Sequence, residues 1–266
     1  MEHVLQAPPD AGFAVTLEDG VLEISLNQPE RRNPLGYRTM TALVDVLRMA
    51  DQVPLVRSIL LFGQGTAFTA GGDLNEFKDE VAQSAHALHE SGQALATLLT
   101  LIPQLTKPLV VAAHGYCMAG GVGLLAAADV ALGAQTTTYS MSEIRIGLFP
   151  LMVLPAVRDA IGIRRARELA LTGRRFGTDE AVRIGLVHQA FPDEGFLDSA
   201  RGRAKDLATL GRTTMTMGKR YLLDIDGLPR ESATQLGRAV RGAFMTSPDF
   251  EEGVSAFLDK RTPEFK

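Results

Sequence analysis

From Lys107 the chain runs through an uninterrupted apolar stretch, Leu109-Val110-Val111-Ala112-Ala113, into His114-Gly115-Tyr116-Cys117-Met118-Ala119-Gly120-Gly121-Val122-Gly123. A short apolar run bounded by turn residues reads as a buried strand, and Lys107-Pro108 introduces it. The segment Thr66-Ala67-Phe68-Thr69-Ala70-Gly71-Gly72-Asp73-Leu74 repeats the arrangement after a second buried run, Ser58-Ile59-Leu60-Leu61-Phe62-Gly63. Glycine lets a backbone approach a ligand closely, and main-chain N–H groups freed in this way bind negative charge. Together the two segments read as the halves of an oxyanion hole, suited to a reaction that passes through an enolate or a tetrahedral oxyanion.

The rest of the chain arranges itself around these two turns. Alternating residues over 13–26 flank Asp19-Gly20, which predicts a hairpin. Met40, Leu43, Val44 and Leu47 share one face of a helix over 37–50, and 81–101 is again helical in period. A small-residue helix follows the second glycine-rich loop at 124–128, then a short strand at 130–132. A helix over 164–171 is closed by Thr172-Gly173. Strand, loop and helix recur without a strict sequence period, so the expected fold class is α/β, with strands stacked by successive β-β-α turns. Beyond residue 195 the pattern changes to long amphipathic stretches at 196–210, 214–223, 231–246 and 250–259. Residues 1–195 are therefore expected to form the core and 196–266 a helical region whose apolar faces favour oligomerisation.

A composition of 45% hydrophobic and 22% charged residues over 266 positions suits a globular chain with a sizeable core. A net charge of -4 argues against nucleic acid as a partner. Cys117 is the single cysteine, so no intrachain disulfide forms and a reducing compartment fits. The first ten residues lack the basic and apolar regions of a signal peptide, and no apolar run is long enough to span a membrane. A cytoplasmic location is the expectation.

Five segments resemble the crotonase (enoyl-CoA hydratase/isomerase) superfamily. They are Leu26-Asn27-Gln28-Pro29-Glu30-Arg31-Arg32-Asn33-Pro34-Leu35, Ala67 with the residues on to Leu74, His114 with those on to Gly123, Ser142-Glu143-Ile144-Arg145-Ile146-Gly147-Leu148-Phe149-Pro150, and Leu171-Thr172-Gly173-Arg174-Arg175-Phe176 running into Ala181. They occur in the family's order and cover nearly the whole chain. The resemblance implies a spiral of repeated β-β-α units, an acyl-CoA thioester substrate, a role in fatty acid metabolism and a homotrimer or homohexamer. It also implies an oxyanion hole from the N–H groups of Gly72 and Gly120, and Glu143 as the acid/base. For the CoA moiety it points to Arg31, Arg32, Ala70, Gly72, Leu74, Gly120 and Lys260. No metal or redox cofactor is implied, coenzyme A being part of the substrate.

Glu143 stands among Met141, Ile144, Ile146 and Leu148, a setting that raises a carboxylate's pKa toward neutral pH; the plainer reading is a surface glutamate beside Arg145. The chain departs from the usual hydratase at Gly123, where that enzyme carries a second glutamate. Hydration is easiest with two carboxylates sharing one water, whereas a proton shuttle between two carbons needs one. A lyase-type hydratase, a double-bond isomerase and a catalytically silent acyl-CoA-binding protein are therefore all carried forward. After Pro150 the bulky Leu151-Met152-Val153 departs from the family again. Related hydroxyacyl-CoA hydrolases place an aspartate at the position of Leu151, so its absence lowers that reading.

Several other features point elsewhere. Gly121-Val122-Gly123-Leu124-Leu125-Ala126 with Glu143 mimics a dinucleotide fingerprint, but lies too far from the strand end for a tight first turn. His86 and His89 do not match a metal-binding helix and read as a solvated face. His114 reads as hydrogen-bonded and structural, and Asp73 and Asp129 as caps or turn-closers. No GxSxG elbow is present for a serine hydrolase.

Overall fold

A computed structural model describes residues 5–80, 84 and 92–265. His86 and His89 lie outside the described residues, as does most of the helix expected over 81–101. The chain opens on a hairpin, β1 (Phe13–Glu18) and β2 (Val21–Leu26), closed at Asp19 and Gly20, which both take positive φ as a two-residue type I′ turn demands. Then come α1 (Tyr37–Gln52), β3 (Ser58–Gly63), α2 (Leu74–Glu80), α3 (Gln93–Gln104), β4 (Leu109–Ala113), β5 (Tyr116–Met118) and α4 (Gly120–Ala127). The middle of the chain adds β6 (Val130–Ala134), β7 (Thr138–Ser140), a 3-10 turn (Ser142–Ile146), α5 (Leu154–Ile161), α6 (Ile163–Thr172), β8 (Phe176–Gly177), α7 (Thr178–Ile184) and β9 (Gln189–Phe191). Four helices finish it: α8 (Phe196–Ala208), α9 (Arg212–Asp224), α10 (Arg230–Met245) and α11 (Pro248–Leu258).

The strands form two sheets. The larger has the order β1-β2-β3-β4-β6-β9, parallel throughout except for the β1–β2 hairpin. The smaller is β5-β7-β8. From β4 the chain steps to β5 in the second sheet, makes α4, returns to β6 and steps again to β7. This is the expected β-β-α turn, with one strand of each unit in each layer. Because β5 intervenes between β4 and α4, the tight strand-to-helix turn of a dinucleotide site is absent from this unit.

Parallel strands covered on both faces read as continuous apolar runs, which is why β3 and β4 carry no polar alternation. Ile59, Leu61, Leu109 and Val111 face the main core with α1 and α3, while Leu60, Phe62, Val110 and Ala112 face a second core. The helix α8 covers that second face with Phe196, Ala200, Ala204 and Ala208, a small-residue stripe at helical spacing. Its backbone comes close enough for Ser58 Oγ to donate to the Ala204 carbonyl at 2.7 Å.

Helix α4 begins at Gly120, four residues before the small-residue helix expected from the sequence. Glycine's weak helix propensity is overridden by packing: Val122, Leu124 and Leu125 are fully buried. The helices α9–α11 bury little, and Leu222, Phe257 and Leu258 are exposed. Among the described residues no helix is long and apolar enough to cross a membrane.

What fastens α9 to the sheet is Lys219, buried, whose Nζ pairs with Asp129 Oδ1, while Asp129 Oδ2 accepts from the Leu109 N–H at 2.7 Å. Removing one partner of a buried ion pair strands the other charge. Lys219→Met should therefore lower stability by about 3 kcal/mol, read as a reduced urea midpoint at unchanged slope. A loss within about 0.5 kcal/mol of zero, the range of ordinary surface changes, would mean that α9 is held by something else.

Candidate active site

The two glycine-rich segments meet side by side at the carboxyl ends of β3 and β4. Thr69 N–H donates to the Tyr116 carbonyl at 3.0 Å and Met118 N–H to the Thr69 carbonyl at 3.1 Å, a parallel bridge between Thr69 and Cys117. A second bridge joins Leu35 to Gly72, with Leu35 N–H donating to the Gly71 carbonyl at 2.8 Å. At Gly71 the backbone has φ +95°, and a Cβ there would stand 2.9 Å from Ala119 Cβ. Only glycine lets the loops approach this far.

Asn33 holds the first loop from within the protein. In a left-handed conformation, φ 53°, its Nδ2 donates to the carbonyls of Gln64 at 2.9 Å and Ala67 at 2.8 Å. Its Oδ1 accepts from Gln28 N–H at 2.9 Å, and its own carbonyl accepts from Thr69 Oγ1 at 2.6 Å. Thr69 Oγ1 accepts in turn from Gly71 N–H at 3.0 Å. A buried amide this fully satisfied rigidifies whatever it touches.

The second loop is set by Ala119, the residue before α4, which takes φ 48° and ψ -115°. A non-glycine residue in that region is strained and persists only where its surroundings impose it. Here Ala119 N–H donates to the Ser140 carbonyl at 2.8 Å. Gly120 follows as the first helical residue, whose N–H has no carbonyl within the helix to meet. Among the described residues neither Gly72 N–H nor Gly120 N–H has a hydrogen-bond partner.

Both glycines line a cavity of about 540 Å³, with Leu35, Met40, Phe77, Leu95 and Met152 among its mostly apolar walls. Glu143 lines it too, from the 3-10 turn after β7. That turn is anchored on the carbonyl of Gly173, which accepts from Ser140 Oγ at 3.0 Å and from Arg145 Nε at 2.9 Å. Arg145 is thereby engaged away from Glu143, so the reading of a surface glutamate paired with its neighbour does not hold. Glu143 Oε2 is buried without a hydrogen-bond partner, and burial pushes the pKa of the carboxyl up. A site with one desolvated carboxylate and two free amide donors can move a proton next to a developing oxyanion.

The space beside Gly123 is filled. A Cβ at Gly123 would lie 2.6 Å from Val153 Cγ1 and 3.3 Å from Leu99 Cδ2, so a larger side chain has no room. Among the described residues lining the cavity, Glu143 is the only carboxylate. Leu151 and Met152 line it beside Val153, where their bulk was expected from the sequence.

The structure thus brings Gly72, Gly120 and Glu143 together; of the residues proposed for CoA only Gly72 and Gly120 line the cavity, while Arg31, Arg32, Ala70, Leu74 and Lys260 lie outside its lining. Arg31 pairs with Asp73, whose carboxyl is held below its ordinary range by hydrogen bonds from Asn75 and Arg31 against the effect of burial. The Arg32 guanidinium lies 5.3 Å from the centroid of the Tyr116 ring, and its carbonyl accepts from Ala70 N–H at 2.8 Å. Leu74 is exposed at the start of α2, and Lys260 is exposed just past α11. His114 Nε2 is 2.9 Å from the Gly65 carbonyl, the structural role expected of it. Asn33, Thr69, Ala119 and Val153 carry parts of the site that sequence reasoning does not assign. Asn33-Pro34 was a visible turn signal for the first of these.

The family profile described as Enoyl-CoA hydratase/isomerase matches residues 16–266. The chain is 30% identical over 254 residues to a 1,2-epoxyphenylacetyl-CoA isomerase of Escherichia coli, covering 94% of this chain and 96% of that one. It is 34% identical over 181 residues to a hydroxycinnamoyl-CoA hydratase-lyase of Pseudomonas fluorescens, covering 67% and 66% of the two chains. The crystal structure of an enoyl-CoA hydratase from Mycobacterium smegmatis superposes with a TM-score of 0.90 at 27% identity, covering 96% of this chain and 98% of that one.

The raised pKa of Glu143 has a consequence for stability. The folded state holds this proton more tightly than the unfolded chain, so the contribution is favourable below the unfolded pKa and is lost as pH rises through the folded one. At neutral pH the charged, buried carboxylate therefore costs stability. Glu143→Gln should raise the unfolding free energy at pH 7 and lose that advantage as pH falls below about 4.3, the ordinary glutamate value. Unfolding titrations at the two pH values decide it; a variant less stable at pH 7 would show that the charge is compensated.

Proposed function

The chain belongs to the enoyl-CoA hydratase/isomerase family and has the crotonase fold, and on that premise we propose that it moves a proton within an unsaturated acyl-CoA through a single carboxylate, Glu143. The observation that carries the reading is the buried, unpartnered Glu143 Oε2 in an apolar cavity that Gly72 and Gly120 also line.

In this mechanism the thioester oxygen accepts from the N–H groups of Gly72 and Gly120. Glu143 removes a proton from C2 of a 3-enoyl-CoA; the C–H electron pair passes into the dienolate and its charge rests on the oxygen between the two amides. The protonated Glu143 returns the proton at C4, leaving the double bond between C2 and C3. A proton is the only thing transferred, so the step calls for no metal or redox cofactor. Val153 beside Gly123 favours this isomerisation over hydration, because a second acid to activate water has no place there. Apolar walls keep the carboxylate desolvated, and desolvation brings its pKa toward that of a useful base.

The CoA moiety would lie outside the cavity along the rim formed by Arg32, Ala70 and Leu74, with Arg31 tied to Asp73 and holding that rim in place. Lys260, remote from this rim in the sequence of elements, is suited to a phosphate as a point charge. The exposed Phe257 and Leu258 support a homotrimer or homohexamer, since a single chain leaves them uncovered.

Glu143→Gln should lower kcat by roughly 10²–10⁴-fold while the Kd of a saturated acyl-CoA changes little. Unaltered turnover would remove Glu143 from the mechanism. Given a 3-enoyl-CoA, the enzyme should release the 2-enoyl isomer without taking up oxygen from labelled water. Crotonyl-CoA hydrated faster than any 3-enoyl-CoA is isomerised would instead favour the hydratase. Tight binding with no conversion across both substrate types would make the chain a silent acyl-CoA-binding protein.

A further inference from the structure

We propose that the protein holds a single halide-sized anion, chloride in physiological salt, between Arg57, Lys107 and Arg212, where the amino ends of β3 and β4 meet the start of α9. These three cations line one small cavity with Thr106 and Thr216. Its volume is about 10 Å³, room for one small particle and not for a phosphate ester.

Three positive charges converge here with no counter-charge in contact. Among the described residues none of the three has a carboxylate within ion-pairing distance. Arg57 and Arg212 spend one nitrogen each on backbone carbonyls, Nη2 to Leu210 at 2.7 Å and Nη2 to Pro54 at 2.8 Å. Arg212 Nε is left buried with no hydrogen-bond partner. Lys107 is buried as well.

The nearby acids are committed elsewhere. Asp51 Oδ1 accepts from the Thr106 and Lys107 amides, at 2.7 and 3.2 Å, and from Thr106 Oγ1 at 2.8 Å. Asp249 Oδ2 accepts from Thr214 N–H at 2.7 Å. Burial and then the positive field of Arg212 hold both Lys107 and Arg57 below their ordinary pKa values, with Asp51 and Asp249 each offsetting part of that effect. A half-buried cationic cluster, with Lys107 buried and one arginine N–H donor buried and idle, is costly unless an anion completes it. A halide satisfies all three cations at once, having no preferred bonding direction.

This site is separate from the acyl-CoA cavity. Arg57 and Lys107 stand before β3 and β4, while the glycine-rich loops follow those strands, so the length of a strand, roughly 17–20 Å, lies between them. Its effect falls instead on α9, whose first residue is Arg212, and it joins the helical C-terminal part to the sheet at a second point besides Lys219.

The test compares sodium chloride with sodium methanesulfonate at equal ionic strength and pH. The thermal midpoint should be roughly 2–4 °C higher in chloride and the gain should saturate, as expected for a ligand bound only by the folded state. Arg212→Gln should abolish the difference. Crystals of the unaltered protein grown in bromide should show an anomalous peak between the three cations. Equal midpoints in the two salts, an unchanged chloride gain in Arg212→Gln, or water alone at the site in the bromide crystals would each overturn the proposal.

Discussion

The candidate active site rests on one short stretch of backbone pairing, the parallel bridge between Thr69 and Cys117. It binds the loop after β3 to the loop after β4, and so fixes Gly72 relative to Gly120. Two amide donors stabilise an oxyanion only when their positions are set before the charge develops, because a donor that must reorganise returns part of the gain. Asn33 and Thr69 supply the rigidity on one side and Ala119, held by Ser140, supplies it on the other. The sheet beneath serves mainly to deliver both loops to the same edge.

Much of this was legible in the sequence. Asp19-Gly20 specified its hairpin through turn chemistry, and the continuous apolar runs at 58–63 and 109–113 specified strands buried on both faces. The two glycine-rich segments marked where the backbone comes close to a cavity, and the motif order pointed to the family. What could not be read were contacts between residues far apart in the chain. Gly123 marked the place of a missing second glutamate, but not that Val153 comes back to fill the space beside it. No periodicity reports such a pairing, since one partner is chosen by the path of the chain. Similarly, the glycines at 120–123 looked like a loop, and tertiary packing made them the first turn of α4. Arg57, Lys107 and Arg212 are unremarkable singly and become a cluster only when β3, β4 and α9 are assembled.

Val153 and Glu143 act together although they serve different ends. In the proposed mechanism an apolar residue in the place of a second acid excludes a water-activating partner, and it adds to the apolar lining of the cavity that Glu143 shares. Drying raises the carboxyl's pKa, which makes Glu143 a less comfortable buried charge and, in the proposed mechanism, a better base. Stability is therefore traded for reactivity at this one position, and Ala119 adds strained backbone beside it. The surrounding sheet, with both faces buried, tolerates both.

The parallel strands also explain why charge collects at both of their ends. Loops leaving the carboxyl ends are free to diverge into a binding site, as open α/β sheets commonly allow. At the amino ends the chain must turn back from helices, and here three such returns, before β3, before β4 and into α9, each place a cation at the same point. Asp51 and Asp249 hold the amides of these turns and, with no ion-pair contact to the three side chains, offset their charge only in part. The charge imbalance is thus a by-product of how the turns are capped. An anion from solvent resolves it without any change in the fold, and in doing so it fastens the C-terminal helices to the same sheet that positions the two glycine amides at its other end.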